Sequence, residues 1–400
     1  MLYFFILMLF VCFSLPGYSQ VKVTGWLQSN LYSWENSREN QQWDYYQNLQ
    51  LRLSPRNYSR LYLNTFLREA YRGDPAEWGE RVYNLYLNWD ARNDLGFRVG
   101  RQFLYSGVMN GTVDALSVQA RLSKNLRFRA AIGLDAPLDR SFEIREWDEG
   151  NVLGGYLAYS FPWNGHVELS YFQKARFEEN YWQQMGAVFR GTIASRFYYF
   201  ARFDYNLLSD EYQLLRTRLT YILKDWSLAA EFTSQRPRIY EDSFFNIFDV
   251  KPYNQVRTAV SYRIGGQEFG LQYLYTVYNV HDFYIVQKTD NDSRIIATVS
   301  SRFGTVGLLY QTGEGGDNVG YYGEIHYEVF PNLTAKVYHS YYNYERAYTH
   351  ISEEALAFTA GLTYRLRNLF IFSGEIQQSN NSYYKKDWRG LMRLTYLFDF

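Results

Sequence analysis

Cysteine is all but missing from this chain of 400 residues, with Cys12 the single one. It sits in an apolar opening segment, so the polypeptide expected after cleavage of that segment has no thiol. Disulfides and thiolate metal sites are thereby excluded from it. Proline is scarce at 8 residues and histidine scarcer at 5. His166, His281, His326, His339 and His350 form neither a His-x-x-x-His nor a His-Glu-x-x-His pattern, so no metal centre is expected. Neither sign of charge dominates, with 41 basic against 41 acidic side chains. A nucleic-acid partner would call for a basic excess, and none is expected. Beyond the opening segment no apolar run approaches the roughly 18 residues that suggest a membrane-crossing helix. Gly-x-Ser-x-Gly and phosphate-cradling glycine loops are missing too. His339 and Ser340 are neighbours, but adjacent strand residues point to opposite faces and cannot cooperate. Glu324, His326 and Glu328 do share a face, which reads as a wetted wall. No catalytic residue and no cofactor is assigned, and an enzyme is not expected.

What is abundant is aromatic. Tyr (40), Phe (29) and Trp (10) make up 20% of the chain. Residues 1–19 are almost wholly apolar and close on Leu15-Pro16-Gly17-Tyr18-Ser19, the pattern of a secretory signal peptide, although no Lys or Arg precedes Lys22. A second domain, residues 20–400, alternates throughout. Leu49, Leu51 and Leu53 oppose Asn48, Gln50 and Arg52, while Leu215, Leu219 and Tyr221 oppose Arg216, Arg218 and Thr220. Side chains of a strand point alternately to its two faces, so each such run has an apolar stripe and a polar one. Turn residues punctuate the runs at Ser54-Pro55-Arg56-Asn57, Ser123-Lys124-Asn125, Gly265-Gly266-Gln267, Phe330-Pro331-Asn332 and six similar places. Mostly longer connections fall between them, including 33–42, 72–79, 105–113, 136–150 and 236–253. The count predicts about 22 strands, within a range of 18–24. Backbone groups in a bilayer must all be paired, so strands cross one only as a closed barrel. The fold class expected is therefore all-β: a transmembrane antiparallel up-and-down β-barrel with no plug domain. A charge at mid-depth on its lipid side would cost about 2–4 kcal/mol, and the apolar stripes carry almost none.

The last strand, Gly390 to Phe400, has Leu394, Tyr396, Phe398 and Phe400 at every second position. This is similar to the assembly signal of outer-membrane β-barrels of the porin kind, which the chain as a whole resembles. The resemblance implies Sec-type export, recognition by the barrel-insertion machinery and a multi-pass place in the outer membrane of a Gram-negative-type bacterium. Val99-Gly100-Arg101-Gln102 followed by Val113-Asp114-Ala115 resembles a Gly-Arg-Gln…Asp-Gly signature of some substrate-selective and polysaccharide-export porins, with Ala115 where Gly is usual.

On the polar stripes Arg52, Arg60, Arg98, Arg121, Arg127 and Arg129 crowd the first half, followed by Arg202, Arg216 and Arg218. Carboxylates return late, at Glu324, Glu328 and Glu375. Opposed charges across a lumen select solutes. These residues are candidates to line a path for small polar solutes, anionic or sugar-like ones among them; the other reading pairs the arginines with neighbouring strands. Tyrosines on the polar stripes, among them Tyr62, Tyr86, Tyr338 and Tyr342, suit either sugar faces or the filling of space. Residues 105–112 and the loop around Phe244, Phe245 and Phe248 are the candidates to fold inward. A barrel of this size leaves a wide lumen, which inward loops or a lumen-filling or oligomeric partner would narrow. A non-channel component of an assembly, secretion or lipid/polysaccharide export system is the alternative function.

Overall fold

The computed structural model describes residues 21–35, 40–73, 76–236, 252–278, 291–313, 316–345, 352–381 and 386–400. The opening segment with Cys12, the loop bearing Phe244, Phe245 and Phe248, and His281 and His350 lie outside them. Strands run as β1 (Val21–Glu35), β2 (Gln41–Pro55), β3 (Leu61–Gly73), β4 (Ala76–Arg92), β5 (Leu95–Ser106) and β6 (Met109–Arg121). Next come β7 (Leu126–Asp135), β8 (Asn151–Ser160), β9 (Gly165–Arg176), β10 (Glu179–Ile193), β11 (Phe197–Asn206) and β12 (Glu211–Leu223). They continue as β13 (Trp226–Gln235), β14 (Tyr253–Ile264), β15 (Gln267–Tyr278), β16 (Asn291–Ser301) and β17 (Gly304–Gly313). The last are β18 (Asn318–Phe330), β19 (Leu333–Glu345), β20 (Ser352–Leu366), β21 (Phe370–Asn380) and β22 (Asp387–Asp399).

Each strand pairs antiparallel with its successor. β22 pairs back onto β1, from Thr24↔Asp399 to Ser33↔Gly390, which closes a barrel of 22 strands. The short turns lie where turn chemistry puts them. Gly265 and Gly266 fill a two-residue turn with φ of 57° and 79°, left-handed values that the twist of a tight hairpin demands. At the other rim several strands outrun the sequence expectation. β1 and β2 extend to Glu35 and from Gln41, and the expected connection 105–113 shrinks to Gly107-Val108. Polar residues beyond the apolar stripe still satisfy their backbone groups most cheaply by continuing the ladder.

The register fixes which face is which. Val99, Leu116, Ile132 and Leu153 stand side by side on β5 to β8. They are 53%, 50%, 49% and 46% exposed, although all are apolar. The same belt continues through Leu228, Val260 and Leu271, and it ends through Leu394 and Met392 on β22. This is the outer face. Near closure, Val23, Leu49 and Phe398 pack together on it.

One hairpin departs from a plain cylinder. β4 and β5 are paired only as far as Leu85↔Arg101, after which they part. The end of the β5–β6 hairpin bends over the inner face of β8 to β10. Leu104, Val108, Met109 and Val113 form a dry cluster there with Ala131, Val152 and Phe172. Gly107 makes the bend, with φ of 60° and Ser170 so close that a side chain would collide with it. The Val108 N–H donates to Ser170 Oγ at 3.0 Å, and Arg202 Nη2 reaches the Gly107 carbonyl at 3.5 Å. Of the two segments expected to fold inward, this is the one among the described residues.

Candidate functional site

The inner wall is the stripe opposite the apolar belt, and each candidate from the sequence falls on it or at its rim. Among the candidate arginines two pairs stand directly opposite each other across neighbouring strands, Arg202↔Arg216 and Arg121↔Arg127. Like charges so placed are destabilising, and the two pairs meet this differently. Arg202 is held by both oxygens of Asp204, at 2.8 to 3.1 Å, and Arg216 by Glu231 at 2.8 Å. The Arg121 and Arg127 side chains make no hydrogen bond or ion pair among the described residues. They line a polar cavity of about 470 Å³ near the short-turn rim, together with Arg60, Arg92, Arg129 and the carboxylates Asp90 and Asp94. Arg92 approaches Asp94 at 3.5 Å, and Asp90 accepts a bond from Asn88 at 3.1 Å. Five guanidinium groups thus face two carboxylates.

Arg52, Arg60, Arg98 and Arg129 have neutral partners. Arg52 lies over the Tyr62 ring, 3.7 Å from its centroid. Arg60 donates to Asn93 at 2.7 Å, Arg98 to Asn88 at 2.9 Å, and Arg129 to Ser106 at 2.9 Å. Arg218 stands opposite Glu231, whose carboxylate is taken by Arg216. On the far side of the ring Glu324 is bridged by Lys336 at 3.2 Å. Glu328 and Glu375 stand opposite Thr334 and Gly361, without an ion pair among the described residues. Pairing and freedom thus coexist on one wall: Arg202 and Arg216 are neutralised, whereas the cluster on β6 and β7 is not.

The segment Gly100-Arg101-Gln102 and its partner Asp114-Ala115 meet across the base of the inward hairpin. Arg101 binds Asp114 through two parallel bonds of 2.9 and 2.7 Å, and both share the outer-face register with Val99 and Leu116. Arg101 is only 4% exposed. Its remaining donors go to the carbonyls of Ser141 and Glu143 in the loop 136–150. That loop also fills the opening between β4 and β5, where the Val82 N–H donates to the Arg140 carbonyl at 2.7 Å. Gln102 turns inward, donating to the Ala115 carbonyl and accepting from Ser117. Gly100 has φ of 115° and would collide with the Leu85 carbonyl if it carried a side chain. The motif therefore anchors the hairpin to its loop.

Three arrangements are not foreseen from the sequence, although alternation places Tyr342 on a polar stripe. Ser160 Oγ meets His166 Nδ1 at 3.0 Å, and His166 Nε2 meets Glu168 at 3.0 Å. Arg190 neutralises Glu168 at 2.8 Å, and Ser160↔His166 is a direct cross-strand pair, so wall register alone assembles this chain of bonds. Gln184, opposite Phe172, is fully buried with both amide atoms unbonded among the described residues. Tyr322 and Tyr342 lie over Gly307 and Gly320 on the inner face.

No protein-family model matches the chain, and no curated protein sequence matches it either. The translocation pore of the P pilus usher PapC aligns with a TM-score of 0.51 at 9% identity, covering 94% of this chain and 99% of that one. OccK1 (OpdK) of Pseudomonas aeruginosa aligns at 0.46 and 12% identity over 95% and 99% of the two chains. A BenF-like porin from Pseudomonas fluorescens Pf-5 gives 0.45 and 8% over 95% and 99%. The likeness to the usher is one of fold; the two lower scores carry no argument.

Proposed function

We propose that this barrel is an outer-membrane channel for passive diffusion of small polar solutes, with a preference for small anions. The outer belt needs an apolar solvent, and a closed ring is the form in which strands satisfy their backbone within one. The observation that carries the anion preference is Arg121 opposite Arg127, a like-charge pair left without an ion-pair partner among the described residues, beside a polar cavity of about 470 Å³. A passing carboxylate or phosphate supplies the missing countercharge, and Glu328 and Glu375 across the ring sharpen the field. Leu394, Tyr396, Phe398 and Phe400 serve in this reading as the mark for the insertion machinery, and residues 1–19 as the export signal.

The test is the reversal potential of the purified protein in a planar bilayer under a potassium chloride gradient. We expect chloride to be favoured, and Arg127→Ala with Arg129→Ala to cut that preference about fivefold, the factor given by about 1 kcal/mol of Coulomb energy in water. An unchanged reversal potential removes the anion preference. A barrel that conducts nothing points instead to an export or assembly component.

A further inference from the structure

We infer that Tyr322, Tyr338 and Tyr342 form a stacking platform for the pyranose rings of neutral linear oligosaccharides, a second subsite that rests on the channel reading above. Gly307 is directly opposite Tyr322, and Gly320 directly opposite Tyr342. A Cβ on either glycine would collide with the facing ring. Each ring therefore occupies the space a side chain would take and lies along the wall. Ser340, beside Tyr322 in the register, is buried beneath this layer. All three side chains remain partly exposed on the inner face, and for Tyr322 and Tyr342 one side of the ring covers the wall.

Tyr338 and Tyr342 are four positions apart on β19, about 14 Å along the strand at about 3.4 Å per residue. Tyr322 stands between them in height, directly opposite Ser340. Aromatic rings spaced over this length can take the C–H faces of more than one sugar ring, as an aromatic body with a polar tip does. At its lower end Glu324 is opposite Tyr338, with Lys336 bridged to it and His326 opposite Lys336. These groups offer donors and acceptors to sugar hydroxyls, and the Glu324–Lys336 pair leaves no net charge from those two, which favours a neutral sugar. Space-filling rings would stand off the wall and need no glycine opposite. Glycine rescue alone explains one ring per glycine, but not Tyr338, whose cross-strand neighbours are Glu324 and Thr359.

The experiment is calorimetric titration of the full chain in detergent with maltopentaose, run beside bilayer conductance of the same preparation. We expect saturable binding and a sugar-dependent block of current. Tyr322→Leu with Tyr342→Leu should weaken binding by about tenfold or more, whereas Tyr322→Phe with Tyr342→Phe should stay within about threefold, since stacking needs the ring and not the hydroxyl. Should the leucine variant fail to fold, wild-type binding and the phenylalanine variant still decide. No heat and no block with the wild type overturns the platform even if ions pass, and so does a leucine variant that binds as the wild type does. Binding without any ion current would instead overturn the channel and leave the platform standing.

Discussion

Gln184 is the residue whose environment is least expected. Its amide is fully buried directly opposite Phe172, and neither of its polar atoms has a partner among the described residues. Burying an amide without hydrogen bonds costs about 1–3 kcal/mol by protein mutational measures. Gln184→Leu should therefore stabilise the barrel by about 1–2 kcal/mol, read as a higher urea midpoint in lipid vesicles; a lower midpoint would show that the amide is bonded after all. The sequence offered no hint of this, because Gln184 sits on a polar stripe where a wetted residue is the ordinary expectation. The arginines show the same limit. Alternation was enough to place Arg127 and Arg216 on the inner face. That Asp204 neutralises Arg202 is also readable, since residues two apart share a face. That Glu231 reaches Arg216 requires the β12–β13 register, and so the free pair could not be told from the satisfied one.

At the scale of elements, the β5–β6 hairpin decides the shape of the lumen. A buried bidentate ion pair holds its base, and the loop 136–150 completes the hydrogen bonding of Arg101. Removing one partner of such a pair strands the other charge, at a cost of about 3–5 kcal/mol. Asp114→Asn should lose about that much in urea titration and should also speed amide exchange at Val108; slow exchange in the variant would mean that the tip is held independently of its base. The strands and the ten short turns were legible because periodicity and turn chemistry are local. The Arg101–Asp114 contact was not, although both residues had been singled out. In a hairpin the register follows by counting outward from the turn, and a connection placed at 105–113 hides a two-residue turn at Gly107-Val108. Polar residues such as Asn110 and Thr112 look like loop, yet they continue the ladder.

At the scale of the molecule, the closure between β1 and β22 completes the ring. Phe400 exchanges two backbone bonds with Val23, at 3.0 and 2.9 Å, and its ring lies 6.0 Å from that of Phe398. Phe400→Ala trims this last rung. It should slow the final phase of folding into lipid vesicles about fivefold, for roughly 1 kcal/mol of lost contact formed in the transition state, as followed by tryptophan fluorescence. An unaltered rate would place closure before the slow step.

That single rung has a further consequence for how such a chain comes together. Every other seam joins strands that are consecutive in the chain, and these can zip almost as soon as their turns bend. The remaining one must bring together partners as remote as Lys22 and Asp399, 377 positions apart. The entropy of that encounter is large compared with any hairpin's, though it grows only logarithmically with length. Until it is met, two long ribbons carry unanswered amides and carbonyls, open to any passing strand.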